Sequence, residues 1–471
     1  MSPAVFMLIL VAAIVLLMVL IIKVKLHPVF ALFTVALLSG ITIGFGPLDT
    51  IVKINDGFAN TLKGVGISII LGSVLAMGIQ DTGAAKSISN FFIKLFRGKN
   101  LELAPSLTAF IVSIPVFGDI TMVLTAPIAS AIAVRRKISM STMGSFTGLG
   151  LFLTHALVPP TPGILAIAIM FNADLGMTIV WGTIVSAIAF FSTWLILKKW
   201  VAKEWIEPNP NFVRGIEPAK SDKVEDILIK AVGVPNVVLS LLPVLIPVIL
   251  IAASSFATMY LPDENIIRTI CNILGDKIMA LTIAVIYSMW LGYKFKKNVI
   301  QSHQSVTGDT KSNIREILCD KWVSRGLIIA LAALLITAMG GAMGNVLKSA
   351  PAIKGLSDIV TSSPVPPILI PYLVGAIMMV AVGSMTTAGM TAAAIILPML
   401  GGLGLSPIVA TLAIGAGTMM GNHVNNSGFW VMGQFFNLNT KQGLKYITVP
   451  CAVASVVCIV CLSVFNILGF I

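Results

Sequence analysis

Four stretches of this 471-residue chain set polar side chains, glycines and prolines inside otherwise apolar sequence, and each could do chemistry. In Pro115-Val-Phe-Gly118-Asp119 the carboxylate sits where the flanking residues expect hydrocarbon. A charge there costs roughly 2.5–3.5 kcal/mol on insertion scales, so Asp119 is a candidate for exchanging protons or touching a solute. It follows Gly118 at the start of a returning limb, where an aspartate equally caps free helix N–H groups. Thr154 to Gly163 holds three prolines in four residues, Pro159, Pro160 and Pro162. Each removes a donor and clashes with a preceding carbonyl, so a helix must stop there. The next half-helix then starts near Gly163 with unpaired N–H groups and the positive end of its dipole, which suits an anion. His155 could donate to a solute, relay a proton or be a satisfied buried imidazole; Pro160 and Thr161 shape the break.

The third stretch offers Ser384, Thr386 and Thr387 between Gly383 and Gly389. Singly, such hydroxyls often just bond a preceding carbonyl; three at one bend read better as a site. The fourth, Gly421 to Trp430, supplies Asn422, His423, Asn425, Asn426 and Ser427, donors and acceptors without fixed charge. Interhelical hydrogen bonding is the competing use of these amides. Together the groups are neutral donors and helix N-termini, with one acid and no buried Arg or Lys. That chemistry suits a small hydroxylated or polyhydroxylated anion better than a cation or a lipid, and Gly118, Gly163, Gly383 and Gly428 permit close backbone approach.

The elements that must hold these groups follow from hydropathy. The chain is 57% hydrophobic and 11% charged, with a mean hydropathy of +0.99. Apolar runs long enough to cross a bilayer, about 20 residues each, recur near 4–22, 29–46, 64–80, 142–175, 178–197, 237–260, 276–293, 326–346, 407–436 and 447–470. Two more, 103–134 and 364–400, are too long for one crossing and too short for two, and each has a polar or glycine-bearing centre. Re-entrant hairpins fit that pattern, because irregular backbone survives at membrane depth only where protein buries it or water reaches it.

With both hairpins in place, one face of the membrane receives residues 23–28, 81–102, 135–141, 198–236, 294–325 and 437–446, which carry 25 of the 31 Lys and Arg. The positive-inside rule makes that face cytoplasmic and puts both termini outside. The result is an all-α polytopic membrane protein built as an inverted repeat. Each half has three transmembrane helices, a re-entrant hairpin, a broken helix and a further helix. The first repeat is 1–199 (hairpin 103–134, broken helix 142–175), the cytoplasmic linker 200–236, and the second repeat 237–471 (hairpin 364–400, broken helix 407–436). Ala76-Met-Gly78 recurs as Ala338-Met-Gly340, and the hairpin centres and breaks follow at separations close to 265 residues. Transporters use this organisation, with the solute between the halves.

The formal charge of +12 reads as orientation bias rather than nucleic-acid binding, since the basic residues sit in short loops. Residues 4–22 lack a basic leader and a small-residue cleavage site, so they are expected as a retained helix. The five cysteines form no CxxC pair, and neither a metal site nor a disulfide framework is expected. An intramembrane protease would need two facing acids or a serine–histidine pair; the sequence offers one deep acid and no nucleophile motif. A channel fits less well than alternating access, given two hairpins and two broken helices.

The motifs IPVFGD at 114–119, HALVPPTPG at 155–163, FNADLG at 171–176, GSMTTAGMTAA at 383–393 and NHVNNSGFW at 422–430 resemble, in order, those of the gluconate permease (GntP-type) family of the ion transporter superfamily. The likeness spans essentially the whole chain. It implies a proton symporter importing gluconate or a related sugar acid or hydroxycarboxylate across the inner membrane, with no bound cofactor. Its partners would be a small organic anion, the bilayer and, as a candidate, a second copy of the chain. A sodium-coupled carboxylate or D-serine-type hydroxy-acid symporter is the alternative; a sodium–proton antiporter would want more buried acids. The family commonly has Asn-Asp before Ser-Gly-Phe-Trp, whereas this chain has Asn425-Asn426, so coupling is expected to fall on Asp119 alone.

Overall fold

The computed structural model describes residues 3–115, 118–210, 213, 217–219, 223–228, 233–351, 365–423 and 426–471. Among them every regular element is helical. Before the linker come α1 (Pro3–Met18), α2 (Pro28–Ile43), α3 (Pro47–Thr82), α4 (Ala84–Leu95), α5 (Leu103–Val112), α6 (Gly118–Arg136), α7 (Met140–Leu157), α8 (Pro162–Met170) and α9 (Leu175–Val201). After it come α10 (Val237–Tyr260), α11 (Ile266–Leu274), α12 (Lys277–Lys294), α13 (Lys296–Thr307), α14 (Trp322–Lys348), α15 (Leu369–Val382), α16 (Met385–Ile396), α17 (Pro407–Met420), α18 (Ser427–Phe435) and α19 (Val449–Ile467). Five described helical stretches are long and apolar enough to cross a bilayer, or seven if the bent pairs within 47–82 and 266–294 each count as one.

Four of the apolar segments are each divided between two described helices. Segment 103–134 divides into α5 and α6, and 364–400 into α15 and α16, each pair in mutual contact. Segment 142–175 divides into α7 and α8, and 407–436 into α17 and α18. Three regions differ from expectation. The stretch before residue 64, expected as loop, is the first half of α3, which bends by 45° near Gly64–Gly66. Its Asp49, Lys53, Asp56, Asn60 and Lys63 recur every three or four residues, a polar stripe on a helix rather than a loop. The expected loop 81–102 contains α4, amphipathic because it buries Ala84, Ala85, Ile88, Ser89, Phe92 and Ile93. Residues 276–293 form α12, preceded by α11 at a 64° bend.

The long helices α3 and α14 pack against each other and form the wall behind both helix pairs. Small residues let them approach: Gly57 faces Gly341, Ala342 and Asn345. Asn345 Nδ2 donates to Lys53 O at 2.8 Å near one end of the crossing. Near the other end, Arg325 Nη1 pairs with the fully buried carboxylate of Asp81 at 2.8 Å. Trp322 Nε1 and Ser302 Oγ donate to the same carboxylate at 2.8 and 2.9 Å. A buried charge is tolerable only when paired and hydrogen-bonded in this way.

Each pair leans on one of the two long helices: Pro115 O lies beside Gly72 of α3, and Met390 and Ala394 lie against Gly340 and Gly344 of α14. The partners then exchange between the two parts of the chain. The half-helix α8 packs on α16, and the half-helix α18 packs on α6.

The described parts of the linker are pinned beneath these elements. Arg135, at the end of α6, donates through Nη1 to Ile227 O at 2.9 Å and to Leu228 O, and its carbonyl accepts from Ala219 N at 3.0 Å. Met140 N donates to Ile206 O at 3.0 Å. Glu204 accepts from Tyr446 Oη at 2.7 Å, Gln442 Nε2 at 2.9 Å and Lys445 Nζ at 3.0 Å. Those three donors, Tyr446 first, hold its carboxyl down at about 2, so the clamp is ionised throughout the physiological range.

Candidate functional site

The first break is built by its prolines. α7 ends at Leu157, Val158 leaves the helix at ψ 111°, the Pro159–Pro160 peptide is cis, and α8 starts at Pro162. Proline suits this first helical position because its missing N–H would be unpaired there anyway. The first-turn N–H groups of Gly163 and Ile164 have no intrahelical acceptor, and Thr161 provides no side-chain cap. The Thr161 hydroxyl is turned the other way, donating to Val158 O at 2.8 Å with His155 O at 3.2 Å. Thr161 and Pro160 therefore hold the break in shape, and Pro160 is not among the residues that line the cleft described next.

The open end of α8 faces a cleft shared by both parts of the chain. His155, Gly163, Ile164 and Ile167 form one side, and Met385, Thr386, Gly415 and Thr418 the other. The Gly163–Thr386 approach is close: a Cβ on Gly163 would stand 3.1 Å from Thr386 Cα and 3.3 Å from Thr386 Oγ1. Thr386 is half-buried and its hydroxyl makes no hydrogen bond among the described residues. His155 Nδ1 is likewise buried without a partner among them. The Thr418 hydroxyl donates to Gly415 O at 2.7 Å. The cleft thus joins two backbone N–H groups, one hydroxyl and one imidazole at the positive end of a helix, an arrangement that can hold a carboxylate. Its free volume is about 10 Å³, room for about one water, so a solute requires α8 and α16 to separate.

Ser384 and Thr387 occupy the same bend but serve α16 itself. Gly383 turns the chain at φ +75°, a conformation glycine adopts without strain. Ser384 then caps α16, its Oγ accepting from Thr387 N at 3.4 Å and from Thr387 Oγ1 at 3.2 Å.

The second break is satisfied from within. Asn426 Oδ1 accepts from Gly428 N at 2.8 Å, capping α18, while its Nδ2 donates to Asn422 Oδ1 at 2.7 Å. Asn422 Nδ2 reaches Cys451 Sγ at 3.5 Å, and both amides are buried. His423 is half-buried and its carbonyl accepts from Asn426 N at 2.9 Å. Gly428 lies beside Met122 of α6 and Phe152 of α7. Gly118 and Asp119 are the first two residues of α6, so Asp119 starts the helix on which α18 packs. The Asp119 and Ser427 side chains, and Asn425 altogether, lie outside the described residues.

The sequence reading did not single out Met385, Gly415 or Thr418, whose apolar helical context gives no polar signal. It also missed the buried Asp81–Arg325 pair, because Asp81 was assigned to a loop and its partner lies 244 residues away.

All-helical architecture, several bilayer-length apolar helices and a polar cleft between broken helices define a polytopic membrane transporter. The chain belongs to the GntP permease family: residues 5–468 match the family described as GntP family permease. It is similar to the high-affinity gluconate transporter of Escherichia coli strain K12, 31% identical over 433 residues covering 92% of each chain. It is 29% identical to the D-serine transporter DsdX of Escherichia coli O6:H1, covering 94% of each chain. Among solved structures, Neisseria gonorrhoeae MtrF, described as illuminating a class of antimetabolite efflux pumps, shares the fold at a TM-score of 0.57. Its sequence identity is 14%, with 93% of this chain and 94% of that one covered.

Proposed function

We propose that this permease imports gluconate or a related sugar acid by proton symport across the inner membrane. The observation that carries the reading is the uncapped start of α8, whose Gly163 and Ile164 lie with Thr386 and His155 in one cleft. Two N–H groups at a helix N-terminus suit the carboxylate, and a hydroxyl and an imidazole suit sugar hydroxyls. Around that cleft the solute would also meet Gly118, Asp119 and the second break, with Ser384, Thr387, Asn422, His423, Asn425, Asn426, Ser427, Pro160 and Thr161 shaping its walls. The two halves, 1–199 and 237–471, act as oppositely oriented repeats joined by the linker 200–236, their hairpins re-entrant and both termini outside. Asp119 carries the proton, since Asp81, the buried carboxylate of the described structure, is locked to Arg325. A second copy of the chain is a candidate partner.

Uptake of labelled gluconate into membrane vesicles, with pH and sodium gradients imposed separately, tests the reading. Accumulation driven by an inward proton gradient alone is expected, and Asp119→Asn should abolish accumulation while leaving exchange. Accumulation that follows sodium would replace the proton by a sodium-coupled mechanism. That alternative has its own support, because carbonyls and hydroxyls at broken helices also ligate sodium. If D-serine displaces gluconate and is itself accumulated, the substrate class shifts to hydroxy amino acids.

A further inference from the structure

A second cavity opens on the basic face, separate from the cleft. It has a volume of about 510 Å³, within the roughly 300–1,000 Å³ of small-molecule sites. One wall is α6, through Leu124, Pro127 and Ile128; the others come from the end of α3, the start of α4 and α13. Pro115 O lies beside Gly72 of α3, and Gln80 is eight residues further along that helix, about 12 Å at 1.5 Å per residue. The bowl therefore flanks α6, whose neighbour α7 carries His155 of the cleft, on the side the positive-inside rule puts in the cytoplasm.

Its lining is selective. Asp81 reaches it but is neutralised by Arg325. Lys86, exposed and without an ion pair among the described residues, is thus the uncompensated charge. Asn298, Gln301 and Ser305 of α13 present amides and a hydroxyl around it. Asn298 Nδ2 is engaged with Gly233 O, which leaves its Oδ1 to accept, and Gln301 has no described partner. One cation ringed by neutral donors and acceptors matches an anion that carries several hydroxyls.

We infer that this bowl is a second, weaker binding site for the transported sugar acid, occupied on the cytoplasmic side as the solute leaves. Lys86 takes the carboxylate, and Asn298, Gln301 and Ser305 take hydroxyls. The inference rests on the sugar-acid reading above, and the test has an arm that does not depend on transport. In a Cys319→Ser background, Gln301→Cys is labelled with a membrane-impermeant maleimide in inside-out vesicles. Sodium gluconate at about four times its dissociation constant should slow labelling about five-fold relative to sodium chloride of equal ionic strength. Lys86→Gln should remove that protection. Labelling that gluconate does not slow, or protection that survives Lys86→Gln, overturns the site. In the transport arm, Lys86→Gln should raise the KM measured from the cytoplasmic side about five-fold and leave the outer KM within two-fold; an equal rise on both sides, or none, also overturns it. Protection without gluconate flux in the unaltered protein would support the bowl and sink the proposed substrate instead.

Discussion

The two broken helices do the same thing to the chain and opposite things to their own ends. At the first, prolines stop α7 and α8 restarts uncapped, its free N–H groups turned to a cleft with Thr386. At the second, Asn426 caps α18 and passes its amide hydrogen to Asn422, which leans on Cys451. One break keeps its donors available and the other uses them up. A helix terminus in low dielectric must satisfy its orphan groups somehow. The one that does not do so within the protein is the better place for a solute to complete it. On the proposed function, the difference would put recognition at the first break and shape at the second.

The sharpest way to break that assignment is Gly163→Val. Its Cβ would stand 3.1 Å from Thr386 Cα, backbone that cannot swing aside. The two further methyls would fill a cleft that holds about one water, while overpacking costs about 1–3 kcal/mol of stability. Uptake should fall by about 100-fold or more, the scale on which a misplaced site fails, with the protein still monodisperse in detergent. Gly428→Ala is the matched control at the second break, since its Cβ meets side-chain atoms of Asn426, Met122 and Phe152 rather than backbone. Uptake there should stay within about three-fold; a loss equal to that of Gly163→Val would erase the distinction.

Asn426→Ala comes next and should act on stability. It removes a cap worth about 1 kcal/mol and strands the buried Asn422 Oδ1, a further cost of about 1–3 kcal/mol. A lowered melting temperature in detergent is expected, with the gluconate KM of the surviving protein within about three-fold. An unchanged melting temperature with lost binding would move recognition to the second break. Thr386→Val is smaller and opposite in kind: it keeps the shape and removes a hydroxyl with no described bond. KM should rise up to about ten-fold, the worth of one hydrogen bond, at an unchanged melting temperature.

The reasons these two breaks were readable in advance differ. Pro159, Pro160 and Pro162 announce a stop by covalent structure alone, because a proline cannot donate whatever surrounds it. The amides at 422–426 announce polarity but not direction. Whether Asn426 faces a solute or caps its own helix depends on where Gly428 N and Asn422 lie, and no local pattern encodes that. Asp81 and Arg325 fail for a related reason: each looks like a loop charge until α3 and α14 cross. The polar stripe of Asp49, Lys53, Asp56, Asn60 and Lys63 was legible by its spacing and was obscured only by its low hydropathy. Thr418 carries no signal at all, since a threonine in an apolar helix more often bonds its own turn, as this one also does through Gly415 O.

The smallest effect probes how far the second break's self-sufficiency extends. Cys451 stands at the end of the amide chain, accepting from Asn422 Nδ2 at 3.5 Å, and its sulfur is a weak acceptor. If the chain Cys451–Asn422–Asn426–Gly428 were cooperative, removing the sulfur would loosen the cap two links away. If each link stands alone, Cys451→Ala should cost little more than one buried sulfur, about 1 kcal/mol. We expect the second outcome, because Asn422 holds Asn426 through its oxygen and keeps that bond when its nitrogen loses a partner. The double variant Cys451→Ala with Asn426→Ala measures it: losses of unfolding free energy that add within about 0.5 kcal/mol mean independent links. A double variant markedly less destabilised than the sum would mean that the sulfur and the cap act as one unit, and the shape of the second break would then be set from α19 rather than by its own asparagines.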